Sequence, residues 1–309
     1  MMLRGINTFL IIAYLAISSF LSYGIMEEAS DFKEFKTTYT KRLNMNENVF
    51  DPRDYFITGE YQKAEKTAEL FLIKSEEAKA QMVLYAWIIA IVTLIFVLYA
   101  FIYGEIKKQW KFLGWSVVVA SFVFLAVGIT VPMLEIAAYL DGLHIPIKAG
   151  LADVSETLGN IFPDFKIDTS ADFEGKIYAF HQSKSILDLI DILFTSKNYT
   201  VGIAILFFSV IFPLLKLLFS SLFLLSKKAR QRKLLVNVIS YIGKFSMADV
   251  FVVATILAYL AFENMNPGVT VDAKTLVGLH LFLVYCMLSI IVFFVIKKLQ
   301  KEDQKNYLK

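Results

Sequence analysis

The chain of 309 residues holds a single cysteine, Cys286, and three histidines, His144, His181 and His280. One cysteine excludes an intrachain disulfide and any multi-cysteine zinc site. No histidine has a second candidate ligand at helical spacing, so each reads as an ordinary polar residue and no metal is implied. Glycine-rich phosphate loops and paired-histidine metalloprotease motifs are also missing. A soluble hydrolase is thereby set aside, no cofactor is implied, and the chain is not expected to be an enzyme. Charged residues are few, 19%, and leave a formal balance of only +3, which gives no reason to expect nucleic-acid binding. The Lys-Lys-Ala-Arg-Gln-Arg-Lys run at 227–233 fits membrane topology and anionic headgroups better.

What is abundant is apolar. Hydrophobic residues make up 57% of the chain, against about 45–50% in ordinary soluble domains, and they are gathered in blocks. Uncharged stretches run 5–26, 82–104, 112–134, 198–215, 234–243 and 275–296, and a helix needs about 20 apolar residues to cross some 30 Å of hydrocarbon. The stretch from 198 continues apolar beyond Lys216 to Ser226, so 200–225 reads as one span carrying a buried charge. Phe245 to Phe262 holds only Asp249 as a charge and reads as another, with Leu234 to Gly243 a short helix leading into it. The expected fold class is an all-α polytopic membrane protein with six transmembrane helices, at about 6–26, 82–104, 112–134, 200–225, 245–262 and 275–296.

Basic residues accumulate in loops that stay inside during insertion. With the N-terminus inside, the inner segments 1–4, 105–111, 227–233 and 297–309 carry 14 basic and 3 acidic residues, and the outer segments carry 15 and 23. Glu135, Lys216, Lys244 and Asp249 remain, within or at the ends of spans. Both termini are therefore expected in the cytoplasm, with 27–80 and 136–199 outside. The first span follows Arg4 and has Ser18, Ser19 and Ser22 near its end. A cleaved signal peptide is its alternative, but the uncharged stretch is long for one, which favours an anchor.

In the outer segment 27–80, Tyr61 to Gln81 has the spacing of a helix running straight into the second span. The segment 136–199 alternates at Phe165-Lys166-Ile167-Asp168 and Lys176-Ile177-Tyr178-Ala179-Phe180, which predicts a small β element. Beyond it, Ser185 to Phe194 suits a helix in the outer headgroup region with Asp188 and Asp191 toward water.

Ionised groups at membrane depth cost several kcal/mol unless they find a partner or water. Lys216 lies nine residues before the inner end of its span, about 14 Å, and Asp249 has too short a side chain to snorkel. Ser209 stands seven residues before Lys216, and Ser246 three before Asp249. The predicted site is a polar seam of Ser209, Lys216, Ser246 and Asp249 on consecutive antiparallel helices, with a buried register-fixing ion pair as the plainer alternative. Pro213 removes a backbone donor beside it. Glu135 and Lys244 read as interfacial charges.

Two segments carry a family resemblance. Ser209-Val-Ile-Phe-Pro-Leu-Leu-Lys-Leu217 and Ile242-Gly-Lys-Phe-Ser-Met-Ala-Asp-Val-Phe-Val-Val253 resemble the conserved patterns of the paraquat-inducible protein A family of bacterial inner-membrane proteins. The likeness covers roughly 112–298 as one four-helix module, leaving 1–111 as an N-terminal helical hairpin and 299–309 as a cytoplasmic tail. The chain lacks the cysteine-pair zinc ribbons and tandem modules that family members often carry. The resemblance implies a tetraspanin- or claudin-like bundle in the bacterial inner membrane. It implies lipid traffic across a Gram-negative envelope beside a periplasmic mammalian-cell-entry (MCE) domain protein, with membrane lipids as partners. It marks the same four seam residues, with Pro213 and Gly243 as structural positions. An ion-coupled small-solute transporter and a non-transporting assembly scaffold are the rival expectations.

Overall fold

The computed structural model describes residues 2–42, 60–150, 166–226, 229–245 and 270–307. The N-terminal apolar run lies within a helix, α1 (Met2–Arg42), whose 41 residues extend for about 61 Å. The next, α2 (Glu60–Lys107), has 48 residues and takes in the helix expected over 61–81. Both exceed the hydrocarbon thickness twofold. They pack antiparallel: Tyr14 stacks on Phe96 at 4.3 Å and bonds Thr93 at 2.8 Å, while the Arg42 guanidinium sits 4.9 Å from the Phe71 ring centroid.

A short turn through Lys108, at φ 53°, leads into α3 (Trp110–Thr130). This helix is apolar almost all round and is the most enclosed of the described spans, mostly buried where α1 and α2 are largely exposed; a helix without a polar face belongs in the middle of a bundle. α3 is followed by β1 (Leu134–Gly150), β2 (Lys166–Lys184) and α4 (Ile186–Thr195). Next come α5 (Tyr199–Ile205), a π-turn (Leu206–Ile211) and α6 (Phe212–Leu225), continuous as a single span, then α7 (Ala229–Phe245). The chain closes with β3 (Thr270–Thr275) and α8 (Val277–Tyr307).

Five helices among the described residues are long and apolar enough to cross a membrane: those containing α1, α2, α3, α5 to α6, and α8. The protein is a multi-pass membrane protein. The span expected over 245–262 lies, but for Phe245, outside the described residues.

Glycines set the closest helix contacts. A Cβ at Gly128 of α3 would stand 2.9 Å from the Phe282 nitrogen, and one at Gly278 would stand 2.7 Å from the Pro132 carbonyl oxygen. α3 and α8 therefore approach at backbone distance, and Lys298 at the other end lies over the Trp110 ring and bonds Glu105 at 3.1 Å.

The predicted β element is present and longer than the alternation implied. β1 pairs antiparallel with β2 from Leu134 to Gly150 and with β3 over Leu134 to Tyr139, giving the order β2-β1-β3. Among the described residues, β1 is paired on both sides over its first six residues alone and Pro146 lies beyond them, toward a strand edge, where a missing donor is tolerated. The third strand comes from the connection before α8, where the short alternation Val271-Asp272-Ala273-Lys274 was not among the expected strand signals. α4 begins with a capping box in which the Ser185 hydroxyl accepts from the Asp188 amide and Asp188 accepts from the Ser185 amide. Asp191 is exposed as expected. Asp188 is not simply turned to water: it is tied into the cap and accepts from Lys33 at 2.9 Å, because the first helix reaches beyond the membrane to meet it.

Candidate functional site

Proline at position 213 cannot donate to the carbonyl four residues back, that of Ser209, and its ring clashes there. The helix answers by widening into the π-turn of Leu206–Ile211, in which the Phe212 amide bonds back to Phe207. π-turns of this kind frequently mark functional positions. Ser209 sits within it with 0% exposure, and its hydroxyl has no hydrogen-bond partner among the described residues. Other buried serines of the spans, Ser116, Ser121 and Ser220, bond back to the carbonyl four residues earlier at 3.0, 2.7 and 2.7 Å, the usual way a hydroxyl is accommodated in a membrane helix. The turn thus places a polar point, carbonyl and hydroxyl together, roughly 15 Å along the span from Tyr199.

Lys216, 3% exposed, follows on the same inward side of the span, together with Pro213 and Ser220. The structure therefore brings Ser209 and Lys216 to one buried face. Gly243 lies in α7 with open space where a Cβ would be, so no close approach among the described residues calls for a glycine there. Ser246 and Asp249, and with them the Lys216–Asp249 pairing, lie outside the described residues. No group of three or more His, Cys, Asp or Glu side chains that could hold a metal is found among the described residues.

A second polar cluster was not anticipated. Glu135 and His181 lie on β1 and β2 as diagonal neighbours, since Glu135 faces Ser183 and Ala137 faces His181 in the register. His181 Nε2 and Glu135 Oε1 are 3.0 Å apart, Lys36 Nζ of α1 is 4.0 Å from the same oxygen, and Lys274 of β3 is opposite Glu135 in register. The histidine side chain is fully enclosed, and its Nδ1 has no partner among the described residues. Burial pushes the Glu135 carboxyl up, but the His181 hydrogen bond and the Lys36 charge outweigh it and leave the group below its ordinary 4.5. Reading Glu135 as a plain interfacial charge is thus corrected: it is the centre of a buried network. The sequence signal was only a carboxylate just past a span; the strand register that supplies its partners was not legible. Ser289 of α8, buried with no partner for its hydroxyl among the described residues, was likewise missed, being one serine in an apolar run.

The matched region with known proteins lies in this half of the chain. No curated protein matches the chain. Residues 174–302, from within β2 to α8 and including Ser209, Pro213, Lys216 and Gly243, match the model of the family described as Paraquat-inducible protein A, so this part of the chain is similar to that family.

Proposed function

We propose that the chain is an inner-membrane component of a bacterial envelope lipid-transport system, not an enzyme, with both termini in the cytoplasm and the sheet in the periplasm. In this reading it passes or loads membrane lipid to a periplasmic MCE-domain partner and so maintains the envelope. The observation that carries it is the polar face of the family-matched span: a mid-membrane hydroxyl with no partner among the described residues, in a proline-induced π-turn, two turns from a buried lysine. A group of this kind is costly unless something passing or binding uses it. The charge asymmetry between inner and outer segments supports the orientation.

The test separates fold from function. An unpartnered buried hydroxyl contributes little to stability, so Ser209→Ala should change unfolding in detergent by no more than about 0.5 kcal/mol, or raise stability slightly. It should nevertheless fail to complement a deletion strain challenged with detergent, as should Lys216→Met. Full complementation by both variants would end the reading.

A further inference from the structure

A cleft of about 420 Å³ opens between α2 and α8, on the membrane-facing side of the molecule. Its α2 wall is set back by two alanines one turn apart, Ala86 and Ala90, while Trp87, 66% exposed, and Leu283, 44% exposed, stand at its rim. Polar groups are confined to one end, where Lys79, Thr275 and His280 contribute. From Lys79 to Ala90 the cleft follows eleven residues of helix, about 16 Å, which is half the hydrocarbon thickness of a bilayer. An apolar slot one leaflet deep with basic side chains at its mouth has the dimensions and the charge order of a single phospholipid. His280 Nδ1 lies 3.1 Å from the Leu276 carbonyl. As an imidazolium it donates there and still has Nε2–H for an anionic oxygen.

We infer that this cleft is a lateral binding site for a phospholipid from the sheet-side leaflet, one acyl chain lying against Ala86 and Ala90 and the phosphate held by Lys79 and His280. The inference rests on the lipid-transport reading and extends it: α2 lies outside the family-matched segment, so the N-terminal hairpin supplies half of a site that the module alone does not have. Entry from the side of the bundle needs no water-filled path through the membrane, because the acyl chain stays in an apolar setting throughout.

The experiment uses the full chain in dodecyl maltoside, titrated with dioleoyl phosphatidylglycerol and, separately, with dioleoylglycerol, which has the same chains and no phosphate. Bound lipid is read by native mass spectrometry. The phosphatidylglycerol should bind about tenfold more tightly, a ratio equivalent to about 1.4 kcal/mol. The surface variant Lys79→Glu with His280→Gln should abolish that preference, and Ala90→Trp, which fills the slot, should lower binding of both lipids. Ala90→Trp risks misfolding, so the surface variant, read against unchanged elution of the folded chain, is decisive alone. Equal binding of the two lipids by the unaltered chain, or an undiminished preference in the surface variant, means annular lipid only and overturns the site. Complementation keeps the two readings apart: loss of the site with normal complementation by Ser209→Ala and Lys216→Met refutes both. A confirmed site with normal complementation by those two variants refutes only the transport reading.

Discussion

Glu135 is met by Lys36 of α1, His181 of β2 and Lys274 of β3, and its removal reaches all three. His181 loses its only described hydrogen bond when Glu135 is replaced, leaving a fully enclosed imidazole with neither nitrogen bonded. Glu135→Ala should therefore cost about 1–3 kcal/mol, measured as a loss of thermal stability in detergent, while Glu135→Gln keeps an acceptor and should cost less. The pH dependence has a definite sign. Glu135 and Asp188 are both held below their ordinary values of 4.5 and 3.8; in each case burial opposes the shift and is outweighed, chiefly by His181 and by Lys33 respectively. A carboxyl lowered in the folded state stabilises it fully above the ordinary value, and the contribution is lost as pH falls through the lowered one. Unfolding temperature should thus be flat in this respect above pH 5 and decline below about 4.5, with a smaller decline in Glu135→Gln. An identical acid profile for the two proteins would refute the role given to Glu135.

At the scale of elements, the α3–α8 interface depends on the absence of two side chains. A methyl group at Gly128 meets the Phe282 nitrogen at 2.9 Å and one at Gly278 meets the Val131 carbonyl oxygen, whereas at Gly114 it meets the Leu224 Cδ2 methyl at 2.8 Å. Backbone cannot yield without separating the helices, but the end of a leucine can turn aside. Gly128→Ala and Gly278→Ala should each cost about 1–3 kcal/mol and Gly114→Ala distinctly less, as ranked by thermal unfolding in detergent. Equal costs at the three positions would contradict that account. The π-turn makes a related prediction. Pro213→Ala restores the missing donor, so the span can close its ordinary hydrogen-bond ladder and should gain stability. The same change closes off the Ser209 carbonyl, so it should impair envelope function.

At the scale of the whole molecule, two long helices and a sheet extend the protein well past the hydrocarbon on one side. Lys33 of α1 bonds Asp188 of α4 there, and Lys298 joins Glu105 and Trp110 at the opposite end, so the hairpin is tied to the rest of the chain at both ends. The proposed orientation places 227–233 in the cytoplasm and 166–184 in the periplasm. Cysteines introduced at Lys228 and Asp172, in a chain whose own Cys286 is replaced by Ser, should react with a membrane-impermeant maleimide from opposite sides. Labelling of both from the same side would overturn the topology.

The sequence alone determined the apolar segments, the charge asymmetry between the segments that join them, and the position of a proline and a lysine inside one of them. Hydrocarbon makes those legible, because a spanning helix must satisfy its backbone within itself and needs about 20 apolar residues to do so, a rule that acts along the chain. The same local rule located Ser209 and Lys216. It could not show that Pro213 would be absorbed by a π-turn, which depends on how the flanking helix packs. Nor could it show that β1 would take β3 as a partner across more than a hundred residues, or that Glu135 would meet His181 and Lys36. The cleft between α2 and α8 is likewise decided only in three dimensions, by which faces of two distant helices the folded chain sets side by side. Pairing across such distances carries no periodicity that a single segment can display, and it is fixed only when backbone register and side-chain packing are satisfied together.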